Sequence, residues 1–155
     1  MPTKAERSAW GIKKRSVLEG ADLVFLDPDN GIGKETEKHA TFSEIRLLRQ
    51  PARLTRAIAF ITFPGRSMKY PDLVRRLHEQ LAVETETPAE SIITLRTSVV
   101  VPTAAGKFVP RSRWFTVVDA DQELISRAHA FTEKLHRIPR VKALLDYRRV
   151  GTSRR

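Results

Sequence analysis

A length of 155 residues is that of one domain, and a chain of this size buries roughly 70% of its unfolded surface. A composition of 41% apolar and 30% charged residues is too apolar for disorder, and the absence of cysteine excludes disulfide scaffolds, thiolate zinc sites, iron–sulfur clusters and a cysteine nucleophile. The net charge of +10 is concentrated late, because from Arg137 to Arg155 seven Lys or Arg stand against one acid, Asp146.

The first predicted element opens on Thr3-Lys-Ala-Glu6, a capping box, and runs as a helix from Lys4 to Leu18, stopping at Gly20. The basic residues Lys4, Arg7, Lys13, Lys14 and Arg15 of this segment flank no apolar core of a secretory signal, and no apolar run nears the ~20 residues of a membrane helix. These features predict a cytoplasmic protein without a membrane partner. The stretch from Asp22 to Leu26 is short, continuous and apolar, as expected of a strand buried on both faces. Asp27-Pro-Asp-Asn-Gly31 ends it with turn chemistry, and a charged loop follows from Gly33 to Ala40.

Thr41-Phe-Ser-Glu44 is a second capping box; Phe42, Ile45 and Leu48 follow at helical spacing, and Pro51 closes that helix. A second buried strand is expected from Ala57 to Ile61. A helix from Pro71 to Leu81 then turns Leu73, Val74, Leu77 and Leu81 inward. Two β-rich runs, from Ser91 to Val101 and from Arg113 to Val118, have only an eleven-residue loop with Pro102, Gly106 and Pro110 between them, which suits an antiparallel pair. Asp121 caps a last helix with Leu124, Ile125, Ala128, Phe131 and Leu135 on one face. The pattern predicts an α/β fold, a three-layer α/β/α sandwich with a small mixed sheet. Residues 1–136 form the domain, and residues 137–155 a basic C-terminal helix and tail.

Chemistry concentrates in Asp27-Pro-Asp-Asn-Gly31. Two carboxylates two residues apart, at the C-terminal end of an apolar strand, lie where open α/β sheets place ligands. Asp27 and Asp29 are therefore the candidate catalytic residues. Asn30 and Gly31, which tolerate the positive φ of an outward turn, are candidate ligand-binding residues, as is Arg66 in Phe63-Pro-Gly-Arg-Ser67, a small anion nest. The histidines share no metal spacing, and no metal site is expected.

The segment Ala21-Asp-Leu-Val-Phe-Leu-Asp-Pro-Asp-Asn-Gly31 resembles the FLDPDNG signature of a bacterial and phage family of class I methyltransferase-like Rossmann proteins. The order downstream is similar: a helix from Thr41-Phe-Ser-Glu44-Ile45, a strand, Arg66 beyond its end, and a closing antiparallel strand pair. The resemblance implies the C-terminal, acceptor-side half of such a fold, with the strand of Asp27 beside Ala57 to Ile61 and Arg113 to Val118 inserted antiparallel. Only twenty-one residues precede Asp22, without the G-x-G turn that would bind S-adenosylmethionine, so that cofactor is expected only if a partner completes the fold. The aromatic residue that stacks on a flipped base in amino-methyltransferases is replaced by Asn30.

A second comparison is with haloacid-dehalogenase-like phosphohydrolases, where D-x-D supplies a nucleophile and a general acid around Mg²⁺. It would use Asp27 and Asp29, Thr62 as the phosphate-binding hydroxyl, Lys107, and Asp119 and Asp121 as metal-binding acids. Two partner expectations complete the reading. The tail cations Arg148, Arg149, Arg154 and Arg155 suit a nucleic-acid backbone, and the edge of the strand from Asp22 to Leu26 suits a homodimer or hetero-partner.

Overall fold

The computed structural model describes residues 9, 13, 16–33, 39–49, 56–64 and 69–147. Its five strands are β1 (Leu23–Leu26), β2 (Ala57–Thr62), β3 (Ile92–Pro102), β4 (Phe108–Val118) and β5 (Val141–Tyr147). Its three helices are α1 (Phe42–Leu48), α2 (Tyr70–Thr85) and α3 (Gln122–His136). One mixed sheet runs β1-β2-β4-β3-β5. β1 and β2 are parallel, β4 is inserted antiparallel between β2 and β3, and β5 closes the far edge antiparallel to β3.

The layers follow from side-chain alternation. Val24, Ile58, Phe60, Ile92 and Val118 point to the face covered by Ile45 and Leu48 of α1 and Leu81 of α2. Ile93 points the other way, against Ile125 and Ala128 of α3. The fold is thus a mixed α/β sandwich with helices on both sides of the sheet.

Local signals set the helix starts. The Thr41 hydroxyl accepts from the Glu44 amide at 3.2 Å while the Glu44 carboxylate accepts from the Thr41 amide at 2.9 Å, closing the capping box. Asp121 accepts from the Leu124 amide at 2.7 Å and starts α3. The helix ends are held by an element with no local signature. Arg56, 1% exposed, donates to the carbonyls of Ala21 at 2.8 Å, Leu48 at 3.2 Å and Glu19 at 2.9 Å, and also to that of Leu18. One guanidinium thus satisfies the end of α1 and the turn before β1 together.

Several sequence expectations change. β1 is buried on one face only: Val24 is 4% exposed, but Leu23 and Phe25 are 52% and 54% exposed, because β1 is an edge strand whose second face has no helix over it among the described residues. α2 continues four residues past Leu81 and ends where Glu86 takes a left-handed φ of 55°. The loop of the β-pair shrinks to 103–107, since β4 begins at Phe108. Pro110 is accommodated because this stretch of β4 pairs with β3 alone, leaving its missing N–H without a ladder to break.

On α3 the buried positions are Ile125 and Thr132, while Phe131 is 52% exposed. The expected basic C-terminal helix is replaced by β5. There, Val141, Ala143, Leu145 and Tyr147 alternate with Lys142, Leu144 and Asp146, a period of two that suits a strand and not a helix. The predicted helix from Lys4 to Leu18 falls mostly outside the described residues; positions 9, 13, 16 and 17 are helical. Arg66, Arg148, Arg149, Arg154 and Arg155 also lie outside them. No helix among the described residues is long and apolar enough to cross a membrane.

Candidate functional site at the ends of β1 and β2

The parallel strands β1 and β2 both point their C-terminal ends at the same side of the sheet. From the end of β1 the chain passes through Asp27 and Pro28 into a turn at Asp29 and Asn30, closed by the Gly31 amide donating to the Pro28 carbonyl at 3.2 Å. The side chains of Asp27, Asp29 and Asn30 are exposed to solvent, and Gly31 is buried. Gly31 has φ +79°, and a Cβ placed on it would lie 3.2 Å from Thr62 Cα and 3.4 Å from the Phe63 nitrogen. The glycine is thus required twice, by its left-handed backbone and by the close approach of the turn to the end of β2.

The turn is anchored on its other side as well. The Ala40 amide donates to Gly31 O at 3.0 Å and the Gly33 amide to Ala40 O at 3.1 Å, with Ile32 and Ala40 forming a short parallel bridge. The His39 ring lies where a Cβ on Gly33 would meet it at 3.0 Å. The Asp27–Asn30 segment is therefore a projection from a braced base, with its two carboxylates aimed outward.

Beside it, Thr62 at the end of β2 pairs across the sheet with Trp114 of β4. The Thr62 hydroxyl oxygen is buried and has no hydrogen-bond partner, an uncompensated polar group at the base of the site. Trp114, 2% exposed, has the Tyr70 ring edge-on at 5.3 Å between centroids, and the Arg96 guanidinium lies 5.9 Å from the Trp114 ring centroid. Arg96 is held by Asp146 through contacts of 2.5 and 2.9 Å. Next along β4, the Arg113 guanidinium lies 4.6 Å from the Phe63 ring centroid. The region thus carries two exposed carboxylates on the turn and, beside the base of that turn at the end of β2, a buried unpaired hydroxyl, an aromatic pair and the Arg113 cation.

The structure brings Gly31 against Thr62, with Asp27, Asp29 and Asn30 carried on the turn that Gly31 closes. It does not bring in Asp119 and Asp121. The register places Asp27 level with Ile61, and Asp119 level with Ala57 two strands away, a separation of about 13 Å along the strands alone. Both distant acids have structural partners: Asp119 pairs with Arg49 at 3.2 Å, and Asp121 caps α3. The four-carboxylate mouth of a phosphohydrolase is therefore not assembled. Among the described residues no three of His, Cys, Asp and Glu gather as a metal site.

The histidines have other roles. His78 bonds Thr94 at 2.8 Å within the core, His136 bonds the Ala143 carbonyl at 2.6 Å, and His129 meets the Tyr147 ring edge-on. Burial pushes the His78 imidazole below its ordinary value, with the charge of Asp146 opposing part of the effect. The roles of Phe63, Arg113 and Trp114 escape a motif search because they depend on the register of β4 against β2, which no local pattern encodes.

No family model matches the chain, and no curated protein does. Among solved structures, it is similar to a Legionella pneumophila str. Philadelphia 1 protein described by the family model DUF519. That similarity has a TM-score of 0.43 at 12% identity and covers 92% of this chain. The chain spans about half, 49%, of the length of that structure.

Proposed function

We propose that this chain is the acceptor-side half of a methyltransferase-like α/β protein, in which Asp27 and Asp29 receive the group to be modified. The observation that carries the reading is the insertion of β4 antiparallel beside β2, with the Asp-Pro-Asp-Asn-Gly turn at the C-terminal end of edge strand β1. This is the arrangement the sequence resemblance implies for an acceptor-side half. Exposed carboxylates on a braced turn accept hydrogen bonds from an amine or hydroxyl and orient it.

The residues described do not fit S-adenosylmethionine by themselves. Gly31-Ile-Gly33 is the one paired-glycine turn at a strand end among them, and its amides are engaged by the Pro28 and Ala40 carbonyls. No helix starts there either; α1 opens only at Phe42. A fan of free amides at a helix N-terminus is therefore not formed, and no donor-binding step is assigned to these residues.

The test is calorimetric titration with S-adenosylmethionine, first of this protein alone and then mixed with the product of the reading frame upstream. The expected result is no saturable heat alone and saturable binding in the mixture. Saturable binding by the chain alone overturns the half-fold reading, and so does no binding in the mixture.

A further inference from the structure

We propose that the β3–β4 hairpin, flanked by the start of β5, is a nucleic-acid-binding ribbon that enters the groove of a duplex, with cations of the hairpin on one face and of β5 and the turn before it on the other directed at the two phosphate walls. This inference does not rest on the acceptor reading.

It starts from length. β2 stops pairing at Thr62 with Trp114, while β4 reaches back to Phe108, so the hairpin overshoots β2 by six residues, about 20 Å. β5 accompanies β3 only as far as Val99 with Val141. Val100 still donates its amide to the Arg140 carbonyl at 3.2 Å, and beyond it the pairs Val101 with Val109 and Pro102 with Phe108, with the turn that joins them, form a two-stranded tip about 10 Å long. A B-form major groove is about 12 Å wide and 8.5 Å deep, and admits such a ribbon.

Charge is the second observation. Between Glu90 and Asp119 the chain holds no carboxylate, and the hairpin carries Lys107, Arg111 and Arg113. Arg111 and Arg113, two residues apart, lie on one face. Lys142, paired in register with Ser98, lies on the other, and the Arg140 guanidinium stacks 4.9 Å over the Phe108 ring at the tip. None of these five cations forms an ion pair among the described residues. The nearby acid Asp146 is taken by Arg96.

The third is the tip itself. Its turn is stiffened by the Thr103 amide donating to the Lys107 carbonyl at 2.7 Å and by Gly106 at φ +74°. Phe108 is 56% exposed despite Arg140, an apolar surface at the point of deepest insertion. The ribbon projects on the same side of the sheet as the Asp27–Asn30 turn, two strands removed from it, so a polyanion is drawn to the hairpin and repelled from the carboxylates.

The experiment is fluorescence anisotropy with a labelled 20-base-pair DNA duplex, matched single-stranded DNA and RNA, and polyglutamate as competitor. The wild-type chain is compared with the triple variant K107Q/R111Q/R113Q and with R46Q/R76Q/R127Q, which removes the same charge from exposed helix positions. Melting curves of each variant report the fold. The expected result is a duplex affinity reduced about tenfold or more in the hairpin triple and changed less than about threefold in the helix triple, with the slope of log K against log salt shallower by about 2–3. A further variant, neutral at Arg148, Arg149, Arg154 and Arg155, is expected to retain most of the affinity. The proposal is overturned by tighter binding of single strands than of duplex, by displacement with polyglutamate at equal charge, by loss of binding only in the tail variant, or by equal effects of the two triples.

Discussion

The Gly31→Ala substitution probes the base of the site because two costs can be separated by a matched control. Gly31 and Gly106 have nearly the same backbone, φ +79° and +74°, but a Cβ at Gly31 meets Thr62 Cα at 3.2 Å, whereas one at Gly106 meets nothing within 4 Å. An alanine in the left-handed region costs about 1–2 kcal/mol. Restriction of the unfolded chain returns about 0.4–1 kcal/mol. Gly106→Ala should therefore destabilise by about 0.5–1 kcal/mol. Gly31→Ala adds an overpacking term of about 1–3 kcal/mol, because its neighbour is backbone and cannot rotate away. The sum is about 1.5–4 kcal/mol, or a melting point lower by roughly 5–12 °C for a domain of this size.

Urea unfolding followed by circular dichroism measures both variants. Hydrogen exchange at the Gly31 and Ala40 amides should accelerate in Gly31→Ala by local opening before global unfolding. Equal losses for the two substitutions would refute the close approach of the turn to β2 as the reason for glycine at position 31.

Arg56→Met should cost about 3 kcal/mol in urea unfolding, since it removes the donors to four carbonyls, with that of Leu48 buried; a loss under 1 kcal/mol would mean that water replaces the guanidinium. His78 has a lowered folded value against 6.5 in the unfolded chain, so its contribution to stability is complete above about pH 6.5 and is lost as pH falls below it. His78→Gln should flatten the stability profile between about pH 7 and 5, and parallel curves for variant and wild type would contradict this. With Leu23 and Phe25 exposed beside an edge strand, the chain should self-associate at micromolar concentration in sedimentation velocity, and Phe25→Lys should weaken that association; a monomeric wild type would remove the β1 edge as a contact.

Elements specified within a few residues were legible in the sequence. Both capping signals past Thr41 function as drawn, since each needs only its own third neighbour, and the Asp27–Gly31 turn carries its glycine where φ demands it. What escaped depends on distant chain. The apolar run of β1 looks buried on both faces, yet its exposure is decided by which helices cover the sheet edge. β5 was masked by the adjacent Leu144 and Leu145 and by Asp146, whose ion pair with Arg96 exists only after β3 and β5 align. The C-terminal end of α2 carries no glycine, so Glu86 gave no stop signal, and Pro110 reads as a breaker until one side of β4 is seen to be unpaired.

The hydrogen-bonded row His78–Thr94–Thr116, with contacts of 2.8 and 2.9 Å, crosses the buried centre of the domain. Thr94 and Thr116 face each other directly in the β3–β4 ladder. A one-residue slip would turn either hydroxyl to the opposite face and leave the imidazole of α2 facing Ile93 or Val117, with a buried polar group stranded. The row therefore works as an index mark between helix and hairpin, discriminating among alignments that hydrophobic packing alone would rank closely. About 27 Å of strand separates Thr116 from Phe108, so the placement of the basic tip is fixed by a choice made in the centre of the domain.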